Sequence, residues 1–370
     1  MNYPKYNDLD ITKYETLFGF YILGFIKHHR PDFYIIDIRL KNKSWDVTHD
    51  LANYDWLDEQ IKQGLSENKK VVIIPEDEHV GYRNDQLSEI LNQYIDQPVY
   101  WVTMLDHYSQ IVYKENHKLN HKFQIKILEV PWMMLNECLT YYPVANTVTE
   151  FDSTHYNYIC LLGNTLINYP NNHKIALAQE LHRQGLSGMG LITISKQHPY
   201  PVELLEYCKI NSKDIYNSNL DPNYPPYARQ SSLNGVWISK NVDNYLYIDK
   251  LYHSTPLVIS PETTVAPFKS TEKSIWPILL GKLFLIYGRP KSMDWIQRFY
   301  DIDISKFANV EYDDIKNDQD RLTKMISCNK VLIENAKEIQ IQFSQELESA
   351  RWTLGKNLYQ FTINQLDKII

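Results

Sequence analysis

The residues best suited to chemistry in this sequence lie between positions 262 and 288, where carboxylates, hydroxyls and a lysine occur together. Ser270 or Thr271 is a natural N-cap for a helix, and Glu272 and Lys273 then lie in its first turn. The free amides of a helix N-terminus favour anions, and Lys273 adds a full positive charge beside them. Glu262 or Glu272 could accept hydrogen bonds from ribose hydroxyls. The same spacing also fits a capped surface helix whose charges are solvated.

A second group of carboxylates, Asp77 and Glu78, follows the predicted strand Lys70–Ile74. Acidic side chains at the carboxyl edge of a sheet are well placed to face a ligand, and a carboxylate can take the proton of an attacking hydroxyl. Asp106 beside His107 is a competing base, because a carboxylate next to an imidazole can do the same work. A loop of solvated charges is the alternative for Asp77 and Glu78.

Other reaction classes lack their sequence signatures. Asp301 and Asp303 form a DxD string, but they follow the 262–288 segment rather than a nucleotide-binding strand, and we predict no metal site there. No HExxH, GxSxG, P-loop or GxGxxG string is present, which argues against zinc proteases, serine hydrolases and P-loop NTPases and weakens a dehydrogenase interpretation. The four scattered cysteines are typical of reduced thiols in a cytosolic protein.

The composition is that of a globular protein, with 44% hydrophobic and 22% charged residues in a chain of 370. This length is comfortable for two domains. The net charge of −7 disfavours tight, sequence-blind binding of nucleic acid. The apolar run Leu17–Ile26 is too short to cross a bilayer, so we predict no membrane span.

Short apolar runs alternate with helical patterns along the chain. This alternation predicts parallel sheets that are covered on both faces. The predicted strands are Asp32–Ile38, Lys70–Ile74, Val99–Thr103, Ile125–Val130, Tyr156–Leu162, Leu191–Ser195, Val236–Ser239, Pro256–Ser260 and Leu283–Tyr287. The predicted helices are Asp55–Leu65, Gln86–Tyr94, Asn172–Gln184 and most of the tail from Lys330 to Ile370.

The strand pattern restarts after residue 150, and this restart predicts an α/β protein with two Rossmann-like domains that face each other across a cleft. The predicted domains are residues 1–150 and 151–335, followed by a helical tail at 336–370. The carboxyl ends of both sheets would line the cleft, which is where α/β proteins bind ligands.

The 262–288 segment resembles the nucleotide-sugar site of glycosyltransferases of the two-Rossmann (GT-B) type, most closely fucosyltransferase-like enzymes and related viral and bacterial proteins. The matching elements are Glu262, Thr271-Glu272-Lys273, Pro277, Gly281-Lys282 and Gly288. The resemblance extends over about residues 156–330. It includes Tyr158–Asn164, His173-Lys174, Gln179–Leu186, Tyr312–Asp314 and Asp320-Arg321.

This resemblance implies that the domain at 151–335 binds a nucleotide sugar and that the domain at 1–150 binds the acceptor. It also implies that the final helix of the tail crosses back to the first domain. Lys273 would contact the diphosphate, and Glu262 or Glu272 the ribose. His173 and Lys174 would add positive or hydrogen-bonding character opposite them. The residues implied to bind the nucleotide sugar are Gly163, Asn164, His173, Lys174, Glu262, Thr271, Glu272 and Lys273.

The sequence and this resemblance therefore predict a glycosyltransferase that is independent of metal, with the nucleotide sugar as co-substrate and no separate cofactor, and the resemblance implies that it is inverting. Asp77 or Glu78 would act as the base. The acceptor would be a glycan or other saccharide, or a hydroxylated base in viral DNA. The expected location is the cytoplasm, that of the host if the protein is viral. The alternative is a non-catalytic module that binds a nucleotide sugar or phosphate.

Overall fold

The structure is a computed structural model that describes residues 31–37, 55–74, 85–101, 156–162, 173–194, 202–210, 255–262 and 272–367. The chain divides into two compact units. The first unit contains residues 1–139 together with 358–370, and the second contains residues 140–357. The predicted boundary at residue 150 lies outside the described residues, so the domain limits stay a prediction.

The first unit contains three parallel strands in the order β1-β2-β3. They are β1 (Phe33–Asp37), β2 (Lys70–Ile74) and β3 (Val99–Trp101), with helices α1 (Asp55–Ser66) and α2 (Asp85–Asn92) between them along the chain. Val71, Val72 and Ile73 are all fully buried, as expected when both faces of a parallel strand are covered. Leu57 and Ile61 lie one turn apart on α1 and are also fully buried.

The second unit is built on five parallel strands in the order β6-β5-β4-β7-β8. They are β4 (Tyr158–Leu161), β5 (Gly190–Ile194), β6 (Lys209–Ile210), β7 (Leu257–Pro261) and β8 (Leu283–Tyr287). Counted along the chain within this sheet, the order is 3-2-1-4-5, which is the strand order of Rossmann-type nucleotide-binding sheets. These parallel sheets confirm the predicted Rossmann-like α/β class.

The second unit also contains helices α3 (His173–Arg183), α4 (Val202–Leu205), α5 (Glu272–Leu279), α6 (Ser292–Gln297) and α7 (Asp318–Cys328). Helices α3, α5 and α6 contact strands of the sheet, and α7 contacts α3. On α5, the residues Ile275, Ile278 and Leu279 are buried at the i, i+3, i+4 spacing of a core-facing helix. The helix continues through Pro277 to Leu279.

The tail is helical from Lys330 to Asp367, in agreement with the sequence pattern. It consists of α8 (Lys330–Glu334), α9 (Ala336–Gln342) and α10 (Ser344–Asp367). Gln340 ties α9 to the start of β8, because its Nε2 donates to the carbonyl of Gly281 at 2.7 Å while its Oε1 accepts from the N–H of Leu283 at 2.9 Å.

The predicted strands and helices agree with the described ones to within about two residues at each end. The predicted strands Ile125–Val130 and Val236–Ser239 lie outside the described residues. The arrangement of two domains across a cleft also stays a prediction.

Candidate functional site

The candidate site lies at the carboxyl ends of β4 and β7, where the strand order of the second sheet reverses. The chain continues from β4 to β5 on one side and from β7 to β8 on the other. Strands that diverge in this way open a crevice at their carboxyl ends, and ligands of open α/β sheets bind there. β4 and β7 are neighbours, with Tyr158 opposite Leu257. The crevice is therefore expected beside Leu162 and Glu262, which directly follow the two strands.

Glu262 is the residue on which the surrounding elements converge. It is only 1% exposed. Its main-chain N–H donates to the carbonyl of Tyr287 at 2.9 Å, and its own carbonyl accepts a bond from His173 Nε2 at 2.7 Å. Its carboxylate accepts a hydrogen bond from the hydroxyl of Ser274. Because His173 begins α3 and Ser274 lies in the first turn of α5, the N-termini of both helices are held at the end of β7.

His173 is held in its neutral form. Burial lowers the pKa of His173 below its usual value, and the bond to the Glu262 carbonyl opposes this shift. The charge of Lys174 lowers the pKa further, while that of Asp318 raises it. The imidazole ring is tilted by 55° against the ring of Tyr287, with 6.1 Å between the centroids. At pH 7, His173 therefore supplies hydrogen bonding rather than positive charge.

The neutral state of His173 predicts a pH dependence of stability. Its folded pKa lies below the unfolded value of about 6.5, so the folded protein binds fewer protons than the unfolded chain at acid pH. The contribution of His173 is fully present above about pH 6.5 and is lost as the pH falls through the folded pKa. Urea unfolding at several pH values should show a smaller acid loss in His173→Gln than in the wild type. Parallel curves for the two proteins would contradict this prediction.

β8 ends against Glu262 as well. A Cβ added to Gly288 would lie 3.3 Å from Glu262 Cγ and 2.6 Å from Ser292 Oγ, so this position requires glycine because of close packing. The carbonyl of Gly288 accepts from Arg321 Nε at 3.0 Å and from Arg321 Nη2 at 2.7 Å. The guanidinium carbon of Arg321 lies 5.7 Å from the centroid of the Tyr287 ring. Arg321 thereby fixes the end of the strand next to β7.

The acidic residue Asp313 supports the fold. It is buried, and its carboxylate accepts hydrogen bonds from the main-chain N–H groups of Ser292, Met293 and Asp294, the last at 3.0 Å. These bonds cap the N-terminus of α6. Burial raises the pKa of Asp313, while the three bonds oppose that shift. The resemblance at Tyr312–Asp314 therefore coincides with a helix cap.

The two aspartates of the DxD string are each engaged locally. Asp303 caps the short 3₁₀ turn Ile304–Lys306 by accepting from the N–H and the hydroxyl of Ser305 at 3.0 and 2.7 Å. Asp301 accepts from Asn357 Nδ2 at 2.7 Å. Within the described ranges, no group of three or more His, Cys, Asp or Glu residues could hold a metal ion.

Two of the predicted ligand-binding residues, His173 and Glu262, are hydrogen-bonded at the end of β7, and the buried Lys174 follows His173 on α3. Glu272 and Lys273 are the first two residues of α5 and directly precede Ser274, so their backbone lies at the same edge. Their side chains are not described. The predicted residues outside the described ranges are Asp77, Glu78, Asp106, His107, Gly163, Asn164 and Thr271. The role of each predicted residue stays a prediction.

The contributions of Ser274 and Arg321 were not predicted from the sequence. For Arg321 a signal was present, because it shares the buried face of α7 with Leu322, Met325 and Ile326. An arginine among apolar positions of a helix indicates a buried guanidinium that satisfies carbonyls. Nothing in the sequence distinguishes the hydroxyl of Ser274 from that of any other serine in the first turn of a helix.

These features define the second unit as a Rossmann-like α/β unit with the buried Glu262 at the carboxyl edge of its sheet. No protein-family model and no curated protein matches this chain. A solved structure described as "Crystal structure of GtfA/B complex" is similar over 84% of this chain, with 9% sequence identity and a TM-score of 0.40. This chain spans 55% of the length of that chain. A similarity at this level does not bear on function.

The part of the chain that the structure describes contains no helix with the length and apolar character needed to cross a membrane.

Proposed function

We propose that this protein is a glycosyltransferase that moves a sugar from a nucleotide-sugar donor to an acceptor hydroxyl. The observation that carries the proposal is the convergence of two helix N-termini on Glu262, at the strand-order reversal of a 3-2-1-4-5 parallel sheet. A reversal of this kind is where Rossmann-type sheets bind nucleotides. The resemblance of the 262–288 segment to nucleotide-sugar sites supports the same assignment.

The diphosphate would bind at the start of α5. The first amides of a helix have no partner within the helix, and they favour a phosphate group placed against them. The ammonium group of Lys273 would add charge where the leaving diphosphate develops it, which stabilises the transition state. Glu272 or Glu262 would accept bonds from the ribose, and Thr271, Gly163, Asn164 and Lys174 would complete the surroundings of the nucleotide sugar.

The acceptor would bind the first unit, where Asp77 or Glu78 would take the proton of its hydroxyl group. A carboxylate base that acts on the face opposite the leaving group gives inversion at the sugar carbon. With Lys273 and helix amides at the diphosphate, this chemistry would proceed without a metal ion. The acceptor would be a saccharide or a hydroxylated base in DNA.

The test is the incubation of the full chain with a panel of UDP-, GDP-, ADP- and CMP-sugars, followed by detection of the released nucleotide. We expect slow hydrolysis of one nucleotide sugar, and calorimetry should show that the corresponding nucleotide binds. Lys273→Ala should weaken that binding by roughly tenfold to a hundredfold, because a hydrogen bond to a charged group is lost. Lys330→Ala is the matched control, since Lys330 is an exposed lysine at the start of α8 that pairs only loosely with Glu334, at 3.7 Å.

The possible results separate the alternatives. Binding without hydrolysis or transfer to any acceptor would indicate the non-catalytic module instead. Equal binding of the nucleotide by the wild type and by Lys273→Ala would contradict the proposal that the diphosphate binds at the start of α5. Failure of every nucleotide and nucleotide sugar to bind would overturn the proposed function.

A further inference from the structure

We propose that His173 accepts a hydrogen bond from a hydroxyl group of the bound nucleotide sugar, and thereby selects a ligand that carries this hydroxyl. This inference rests on the proposed function, because it concerns the same crevice. The sequence left open whether His173 supplies positive charge or hydrogen bonding, and this inference assigns it the role of a hydrogen-bond acceptor.

The bond between His173 and Glu262 fixes which ring nitrogen carries the proton. A main-chain carbonyl can only accept a hydrogen bond, so His173 Nε2, at 2.7 Å from the Glu262 oxygen, must carry a proton and donate it. A neutral imidazole has one N–H, and here that N–H is already used. The other nitrogen, Nδ1, is then left with a lone pair and can only accept.

The surroundings of His173 keep the ring neutral. The side chain is largely buried between the end of β7 and the ring of Tyr287 on β8. Two charged side chains act on it from the helices. Lys174 on α3 opposes protonation, and Asp318 on α7 favours it. Burial is the largest of these effects and lowers the pKa of His173, which agrees with the single-proton geometry.

A nitrogen lone pair at this position discriminates between ligand groups. Phosphate oxygens also carry lone pairs and would be repelled by Nδ1, whereas a hydroxyl group can donate to it. Within the described residues, the bond to Glu262 is the hydrogen bond that the His173 side chain makes, which leaves Nδ1 for a ligand. The hydroxyl can come from the ribose or from the transferred sugar, and the ligands below distinguish these two sources.

Two substitutions separate the two ring nitrogens. The amide of His173→Gln reaches the position of Nε2 and can still donate to the Glu262 carbonyl, but no acceptor remains at the position of Nδ1. The amide of His173→Asn ends near the position of Nδ1 and keeps an acceptor there, but it is too short to reach the carbonyl. His173→Gln therefore removes the proposed ligand contact, and His173→Asn removes the structural contact.

Calorimetry with the full chain tests the proposal. The ligands are UDP, GDP and ADP, each beside its 2′-deoxy and 3′-deoxy forms, UDP-glucose beside UDP-2-deoxyglucose, and inorganic pyrophosphate. For the wild type and His173→Asn, removing the contacted hydroxyl should weaken binding by about fivefold to tenfold, as for one neutral hydrogen bond. His173→Gln should bind the normal and the deoxy ligand with equal affinity, because this variant already lacks the nitrogen acceptor that the hydroxyl group would contact. If the contacted hydroxyl belongs to the ribose, a deoxynucleotide should show this loss of affinity. If it belongs to the transferred sugar, UDP-2-deoxyglucose should show it.

Several results would overturn the inference while the proposed function stands. One is a wild type that binds a nucleotide but binds its deoxy forms equally well. Another is a weakening of pyrophosphate binding in His173→Gln, which would indicate a phosphate contact. A third is a nitrogen-15 NMR spectrum at pH 7 in which His173 is protonated on Nδ1. A wild type that binds none of these ligands would overturn the inference and the proposed function together.

Discussion

Gly190→Ala should destabilise the second unit by about 3 kcal/mol, as measured by urea unfolding. A Cβ at this first residue of β5 would overlap the ring of Tyr158 on β4. Tyr158 is fully buried, and its hydroxyl donates to the carbonyl of Leu186 at 3.2 Å, so the ring has no free space into which it can move. The strand pair β4–β5 would have to separate, and β4 is one of the two strands that lead to the crevice.

The chain offers a matched control two residues earlier. Gly188 is exposed, and a Cβ added there would meet no atom within 4 Å. Gly188→Ala should therefore change the free energy of unfolding by no more than about 0.5 kcal/mol. Adding Tyr158→Leu to Gly190→Ala should restore part of the loss, because it removes the overlapping ring. If Gly190→Ala were as stable as Gly188→Ala, the packing of Tyr158 on Gly190 would be wrong.

The strands could be predicted because a strand that is buried on both faces consists of a nearly continuous run of apolar residues. β8 shows this most clearly, since the predicted and observed strand are both Leu283–Tyr287. Gly281, with its φ of 61°, ends the turn before this strand, and Gly288 follows the strand where only glycine fits. Five apolar residues between two such glycines leave little choice other than a buried strand.

The members of the candidate site were more predictable than their contacts. Glu262 and His173 were both singled out from the sequence, but they are 89 residues apart, and the bond between them uses the main-chain carbonyl of Glu262. Residue types carry no information about a main-chain acceptor. The carboxylate of Glu262 or that of Glu272 was predicted to bind ribose, and in the structure the Glu262 carboxylate accepts a hydrogen bond from Ser274 of α5. Sequence spacing cannot show this choice, because a short polar side chain in a first turn can face solvent or the neighbouring strand equally well.

The neutrality of His173 could not be predicted for a related reason. Whether an imidazole near pH 7 is charged depends on its burial and on charges from other elements. The residues that act on His173 come from α3 and α7, which are far apart in the sequence. Only the folded arrangement determines the balance.

Arg321→Met should destabilise the second unit by about 3–5 kcal/mol, again measured by urea unfolding. Arg321 is 1% exposed and donates to the carbonyls of Gly288 and Ile315 and to the carboxylate of Asp318. Methionine fills a similar volume but donates no hydrogen bond, so the buried carbonyl of Gly288 would lose both of its guanidinium partners. Asp318 is exposed and can be hydrated, so its share of the loss should be small.

Two further variants separate the hydrogen bonds of Arg321 from its charge. Arg321→Lys keeps the charge but loses the planar group that donates in several directions, so we expect a loss close to that of methionine. Arg298→Met is the matched control, because Arg298 is 46% exposed and its contact with Asp294 is long, at 3.7 Å. It should cost no more than about 0.5 kcal/mol. A Lys variant as stable as the wild type would show that charge, and not the bonds to Gly288, is what Arg321 contributes. In that case the end of β8 would be held by the close packing of Gly288 on Glu262 and by the bond from the Glu262 N–H to the Tyr287 carbonyl.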